Sequence, residues 1–158
     1  VSRRDQIRMT EAELASFLDE QRVLTCAGIG PDGRPHLMPL WFVPDGGELL
    51  AWTYAASQKA VNLRRDPRAT LQIESGESYE ELRGVMFEAD TELIEAPEEV
   101  AAVGLRLTLR YAPGDLGSDD APPELRDFVA AQARKRVALR FRPTKTVSWD
   151  HRKLAGTY

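Results

Sequence analysis

The chain has 158 residues, 42% hydrophobic and 29% charged, with a formal net charge of -4 and a pI near 5.3. That length suits one domain able to bury roughly two thirds of its unfolded surface. The acidic balance argues against a nucleic-acid binder, whose footprint is a basic domain. The lone cysteine, Cys26 in VLTCAGIG, excludes an internal disulfide and reads as an inert core thiol. No apolar run approaches the roughly 18 residues of a membrane span, and the charged N-terminal segment lacks a signal-peptide stretch. The expectation is a cytoplasmic protein that binds neither membrane nor metal.

Thr10 and Glu13 have capping-box spacing, with Met9 and Leu14 at staple positions, so a helix begins here and runs to about Glu20. Val23 to Ile29 reads as a buried strand, Pro31-Asp32-Gly33 as a turn, and His36 to Val43 as a second strand. Asp45-Gly46-Gly47 then turns into a third, Glu48 to Tyr54. A short helix from Ser57 ends at Asp66-Pro67, because proline disfavours helical geometry at the residue before it. Ala69 to Glu74 is a fourth strand. Arg83 to Ile94 is a long fifth one, in which Val85, Phe87 and Ala89 alternate with Met86, Glu88 and Asp90. Pro97 opens a helix with Val100, Val103, Leu107 and Tyr111 at helical spacing, and Leu125, Phe128, Val129 and Gln132 mark another. The Gly-, Asp- and Pro-rich segment Ala112 to Pro123 between them is a loop and the expected mobile segment. Val137, Leu139 and Phe141 form a sixth strand, which Pro143 separates from a seventh carrying Val147 and Trp149. The pattern predicts a mainly β fold, a six- to seven-stranded antiparallel barrel with peripheral helices.

The run SQKAVNLRRDPRATLQIE, Ser57 to Glu74, sets a hydroxyl, a lysine, an amide and three arginines around a strand-to-helix junction. A helix start offers unpaired N–H groups and partial positive charge, so an anion placed there is held by N–H donors, Ser57 and Lys59 together. The same charge run also reads as a solvated surface helix. Continued helical spacing would put Arg64, Arg65 and Arg68 on one face.

The order strand, strand, LAWTYAASQKAVNLRRDPRATLQIE, then LRGVMFEADTELI resembles the FMN-binding split-barrel family that includes pyridoxamine 5'-phosphate oxidase. The resemblance covers nearly the whole chain, residues 1–158 as one flavin- or deazaflavin-binding domain. Within it, the segment Lys59 to Arg68, SYEELRGV and SWDHRKL are similar to the actinobacterial branch of flavin and deazaflavin oxidoreductases, many of which use coenzyme F420. The resemblance implies a phosphate site at Thr53, Ser57 and Lys59, with Asn62, Arg64, Arg65 and Arg68 close by. It implies a ring beside Met38, Pro39, Leu40 and Trp41, chiefly through their backbone. It also implies a homodimer with the cofactor at its seam, to which Trp149 in the tail contributes.

Where the oxidases of the family begin their second strand with an arginine, this chain has His36, and the segment that reads pyridoxal phosphate has no counterpart. The expectation is therefore a coenzyme F420-dependent oxidoreductase acting on a small organic substrate. The alternatives are an FMN enzyme and a non-catalytic binder of coenzyme F420 or of a tetrapyrrole such as haem or biliverdin. The sequence shows no catalytic triad or paired carboxylates; His36 and His151 read as structural. Tyr54, Tyr79 and His36 are the candidates for a proton donor, with none assigned.

Overall fold

The computed structural model describes residues 2–112 and 117–155. Seven strands form one antiparallel sheet: β1 (Val23–Ile29), β2 (Pro35–Trp41), β3 (Val43–Asp45), β4 (Glu48–Tyr54), β5 (Arg68–Ser75), β6 (Arg83–Ile94) and β7 (Arg136–Asp150), in the order β2-β1-β5-β6-β7-β4-β3. The two edge strands, β2 and β3, are consecutive in the chain and joined by Phe42 alone. A flat sheet cannot satisfy that connection, so the sheet curls until its edges meet, and Phe42 is buried at the corner. Burying that ring contributes about 1.5–3 kcal/mol to the closure. The expected strand His36–Val43 is thus two strands on opposite edges.

The helices are α1 (Arg3–Gln6), α2 (Glu11–Glu20), α3 (Gln58–Arg65), α4 (Pro97–Tyr111) and α5 (Pro123–Ala133). The capping box of Thr10 and Glu13 is present at the start of α2, and Pro97 and Pro123 each open a helix. The short α1 has no counterpart among the expected elements. Asp45 pairs with Glu48 across Gly46 and Gly47, both at positive φ, which is the two-residue hairpin turn glycine permits without strain. The predicted sixth and seventh strands are one continuous β7. Its Pro143 sits at a bulge, where Ala89 pairs with Pro143 and Glu88 with Lys145, leaving Thr144 as the extra residue. Of the expected loop Ala112 to Pro123, residues 113–116 lie outside the described residues; Ser118–Asp120 form a single 3-10 turn.

Alternate residues of the strands fill the barrel, with Leu24, Cys26, Leu71, Ile73, Val85, Phe87, Leu139 and Phe141 at its centre. A second cluster joins Val100, Val103 and Leu107 of α4 to Leu50 and Ala138 on the outside of β4 and β7. Leu105 and Leu109 then pack on Val129 of α5. No described helix is long and apolar enough to cross a membrane.

Candidate anion site at the start of α3

β4 ends at Tyr54, and a turn closed by the Ser57 N–H on Tyr54 O delivers the chain into α3. Ser57 caps the helix, its Oγ accepting from Ala60 N at 3.2 Å. Val61 bonds Ser57 O, whereas the N–H groups of Gln58 and Lys59 precede the first helical acceptor. Thr53 Oγ1 lies 3.4 Å from Ser57 Oγ, so two hydroxyls stand at the junction.

Lys59 follows in the first turn and is only 9% exposed, yet no carboxylate lies within ion-pair distance of it among the described residues. Burial pulls its pKa below the ordinary lysine value. Its neighbour inside the barrel is Cys26, whose thiol burial pushes up to about 11, so it stays protonated and offers no counter-charge. One turn on, Asn62 is 1% exposed. Its Oδ1 accepts from Gln58 Nε2 at 2.8 Å and from Arg65 Nη2 at 3.2 Å, while its Nδ2 has no acceptor. A buried donor without an acceptor costs about 1–3 kcal/mol. An unpaired ammonium and an orphaned amide thus stand three positions apart on α3, just after its open start, and each of the three calls for negative charge or an acceptor.

The arginines are arranged differently from the expectation. Arg64 bonds Glu95 Oε1 through Nε and Nη2, and Ala55 O through Nη1. Arg65 donates to Ile29 O and Asn62 Oδ1. Arg68 is not on the helix at all: α3 stops at Arg65, Arg68 opens β5, and its guanidinium grips Asp66 from Nε and Nη2 at 3.0 and 2.7 Å. That grip holds the Asp66 carboxyl down at about 2. Arg68 lines a cleft of about 400 Å³ on the outer sheet face with Ala27, Ile29, Thr70 and Asp90. Within α3, Arg64 is ion-paired, Arg65 is held by neutral oxygens, and Lys59 has neither kind of partner among the described residues.

Strand alternation also divides the four expected ring residues. Register places Met38, Cys26, Leu71 and Phe87 in one inward row, and Pro39, Thr25, Gln72, Met86 and Val147 in one outward row. Met38 and Leu40 therefore belong to the barrel side, Pro39 and Trp41 to the outside. Leu40 is buried, whereas Trp41 is 58% exposed. Because β2 pairs only with β1, alternate backbone groups along its other edge are open to a ligand. Met38 faces Cys26 in register and Cys26 neighbours Lys59, so the middle of β2 and the start of α3 share one side of the barrel.

Trp149 lies over Gly84, whose missing side chain makes room for the indole, on the same outer face as Pro39 and Trp41. Tyr79 stands beside His151, centroids 4.7 Å apart, and accepts at its carbonyl 3.0 Å from His151 Nδ1. The length of β5, roughly 23 Å at 3.3 Å per residue, separates that pair from α3. Tyr54 is beside the site, and His36 sits on β2 opposite Gly28. Gln58, which braces Asn62, and Tyr111, which stacks on Trp41, are contributors that sequence reading did not find. The Gln58–Asn62 spacing of four was the available signal for the first; the second depends on tertiary packing. No cluster of metal-ligating side chains occurs among the described residues.

Residues 10–150 match the pyridoxamine 5'-phosphate oxidase family, and the chain belongs to it. A conserved hypothetical protein from Mycobacterium tuberculosis is 42% identical, with a TM-score of 0.88 over 100% of this chain and 95% of that one. An F420 reductase shares the fold at 24% identity and a TM-score of 0.62, covering 83% of this chain and 93% of that one. The heme storage protein of Vibrio cholerae does so at 19% identity and 0.67, covering 87% and 94%. No curated sequence matches this chain.

Proposed function

We propose that this protein is a coenzyme F420-dependent oxidoreductase that works as a homodimer on a small organic substrate. The observation that carries the reading is Lys59, an ammonium buried without a carboxylate beside the orphaned Asn62 Nδ2 at an open helix start. Such a group is stable where an anion completes it. Lys59, Ser57, Thr53 and the N–H groups of Gln58 and Lys59 hold the phosphate, and Asn62 supports them. The open edge of β2 orients the ring through backbone groups of residues 38–41. Trp41 and Trp149 border the ring on the outer face, where the second copy covers Leu37, Pro39 and Val23 and excludes water.

Bound and reduced, the deazaflavin supplies a hydride, so the chain's duty is to bind, orient and keep the site dry.

Titration with coenzyme F420 beside FMN tests the reading, with Lys59→Ala as control. Micromolar affinity for the deazaflavin is expected, and a loss of about 1.5–3 kcal/mol in the variant. A protein that purifies yellow from an ordinary host, or a Lys59→Ala variant of unchanged affinity, contradicts it. Tight binding without turnover over a broad acceptor panel points instead to a carrier.

A further inference from the structure

Most cations of this acidic chain are spent in ion pairs, but one run is not. Arg134, Lys135 and Arg136 occupy the junction of α5 and β7, and none has a carboxylate partner among the described residues. The side chains of Arg134 and Lys135 are exposed and make no hydrogen bond there. Arg136 is held rigidly: its guanidinium lies 4.6 Å from the Trp52 ring centroid and 4.4 Å from that of Tyr54, and Nη1 bonds Gln132 O and Oε1. Trp52 fits there because Gly104 of α4 leaves space a side chain would fill.

The fold brings this run to the anion site. Arg136 pairs with Tyr54 in register, and Ala55 N–H donates to Lys135 O at 2.9 Å. Ala55 is two residues from Ser57, a Cα separation of at most about 7 Å. The same Ala55 carries the Arg64 guanidinium on its carbonyl. Positive charge therefore continues from Lys59 past Ala55 onto 134–136, and Glu95, already bound by Arg64, is the acid beside that line.

We propose that the Arg134–Lys135–Arg136 run seats the carboxylate-bearing tail of the ligand whose phosphate lies at Lys59. The inference rests on the reading above, since it takes the deazaflavin's string of glutamates as the ligand's polyanionic part. The Arg134 guanidinium and the Lys135 ammonium, free of internal partners, and Arg136, held by Gln132 but by no carboxylate, bind successive carboxylates without first breaking an ion pair.

The test compares coenzyme F420 with its analogue lacking the glutamates, by calorimetry, on the wild type and on Arg134→Ala/Lys135→Ala, two exposed changes checked for folding by thermal melts. The wild type is expected to bind the tailed form roughly 3- to 30-fold more tightly, with the advantage shrinking at high salt. In the double variant most of the advantage is lost, Arg136 keeping the remainder, while affinity for the tail-less form stays. Equal binding of the two forms by the wild type, or equal losses for both in the variant, overturns the tail site and leaves the phosphate reading standing. Failure of the wild type to bind either form overturns both.

Discussion

Trp41 at the end of β2 lies flat against Tyr111 at the end of α4, ring centroids 4.2 Å apart and planes 7° from parallel. The Tyr111 hydroxyl accepts from Phe42 N at 3.0 Å and donates to the Arg22 carbonyl, so one side chain ties α4 to the corner where the sheet closes. One face of Trp41 is thus occupied and its orientation fixed before any ligand arrives. Tyr111→Phe keeps the stack but leaves the Phe42 N–H without its acceptor, and is expected to cost about 1–3 kcal/mol in urea unfolding. Tyr111→Ala also loses the stack and leaves a cavity, about 3–5 kcal/mol in all, with a shift in tryptophan emission. A phenylalanine variant as stable as the wild type removes the hydroxyl from the account.

Lys59 sets stability against binding. Lys59→Met keeps the aliphatic stem and removes the buried charge, so the ligand-free protein is expected to gain about 1 kcal/mol and melt higher. Its affinity for phosphorylated deazaflavin is expected to fall roughly 10- to 100-fold, while a ring without phosphate binds as before. Thermal melts and titrations on one preparation decide it. A variant that melts lower and binds unchanged shows that Lys59 serves the fold alone.

The same lysine predicts two opposed pH trends. Its folded pKa lies below the ordinary 10.5, so in the window between them the unfolded chain holds the extra proton. Protons bound in the unfolded state then exceed those in the native state, and this group makes the ligand-free protein more stable as pH rises. Anion binding needs the ammonium, so affinity falls across the same window. Cys26 opposes the stability trend above its ordinary value of 9.0, because burial raises the folded thiol to about 11 and the native state keeps that proton, so the comparison with Lys59→Met isolates the lysine. Melts and titrations from about pH 7 to about pH 10 are expected to diverge in this way for the wild type, and Lys59→Met is expected to lose this lysine's contribution to both slopes.

Local chemistry made most of the fold legible. The Thr10–Glu13 box, the prolines at 97 and 123 and the alternation from Arg83 to Ile94 each fix an element through neighbours close in sequence. What escaped was long-range. Residues 36–43 alternate like one strand, and only the meeting of the sheet's edges breaks it at Phe42. Pro143 reads as a break until β6 supplies the bulge that absorbs it. The placing of Ser57 at a helix start, with Lys59 and Asn62 in the turns after it, was legible because a helix start is a local feature. The arginines were misgrouped because their partners, Glu95 and Ile29, lie about thirty residues away along the chain, and because Asp66 draws Arg68 onto the β5 side. The free cations at 134–136 were overlooked because sequence does not reveal which charges have partners.

The outer sheet face provides the last test. Leu37 and Trp41 are each 58% exposed on β2, an edge strand paired on one side only, and Val23, opposite Trp41 on β1, is 47% exposed. Exposed edges of this kind are normally guarded by charge, and the outward positions of β2 carry none. If a second copy covers this face, Leu37→Arg puts an unpaired guanidinium into the seam and converts the dimer to a monomer in sedimentation velocity, with little change in the monomer's own fold because the side chain points away from the barrel. Affinity for the deazaflavin is expected to fall with the dimer, since the seam borders the ring. A variant that remains dimeric with full affinity moves the contact between copies to another surface and separates the ring site from it.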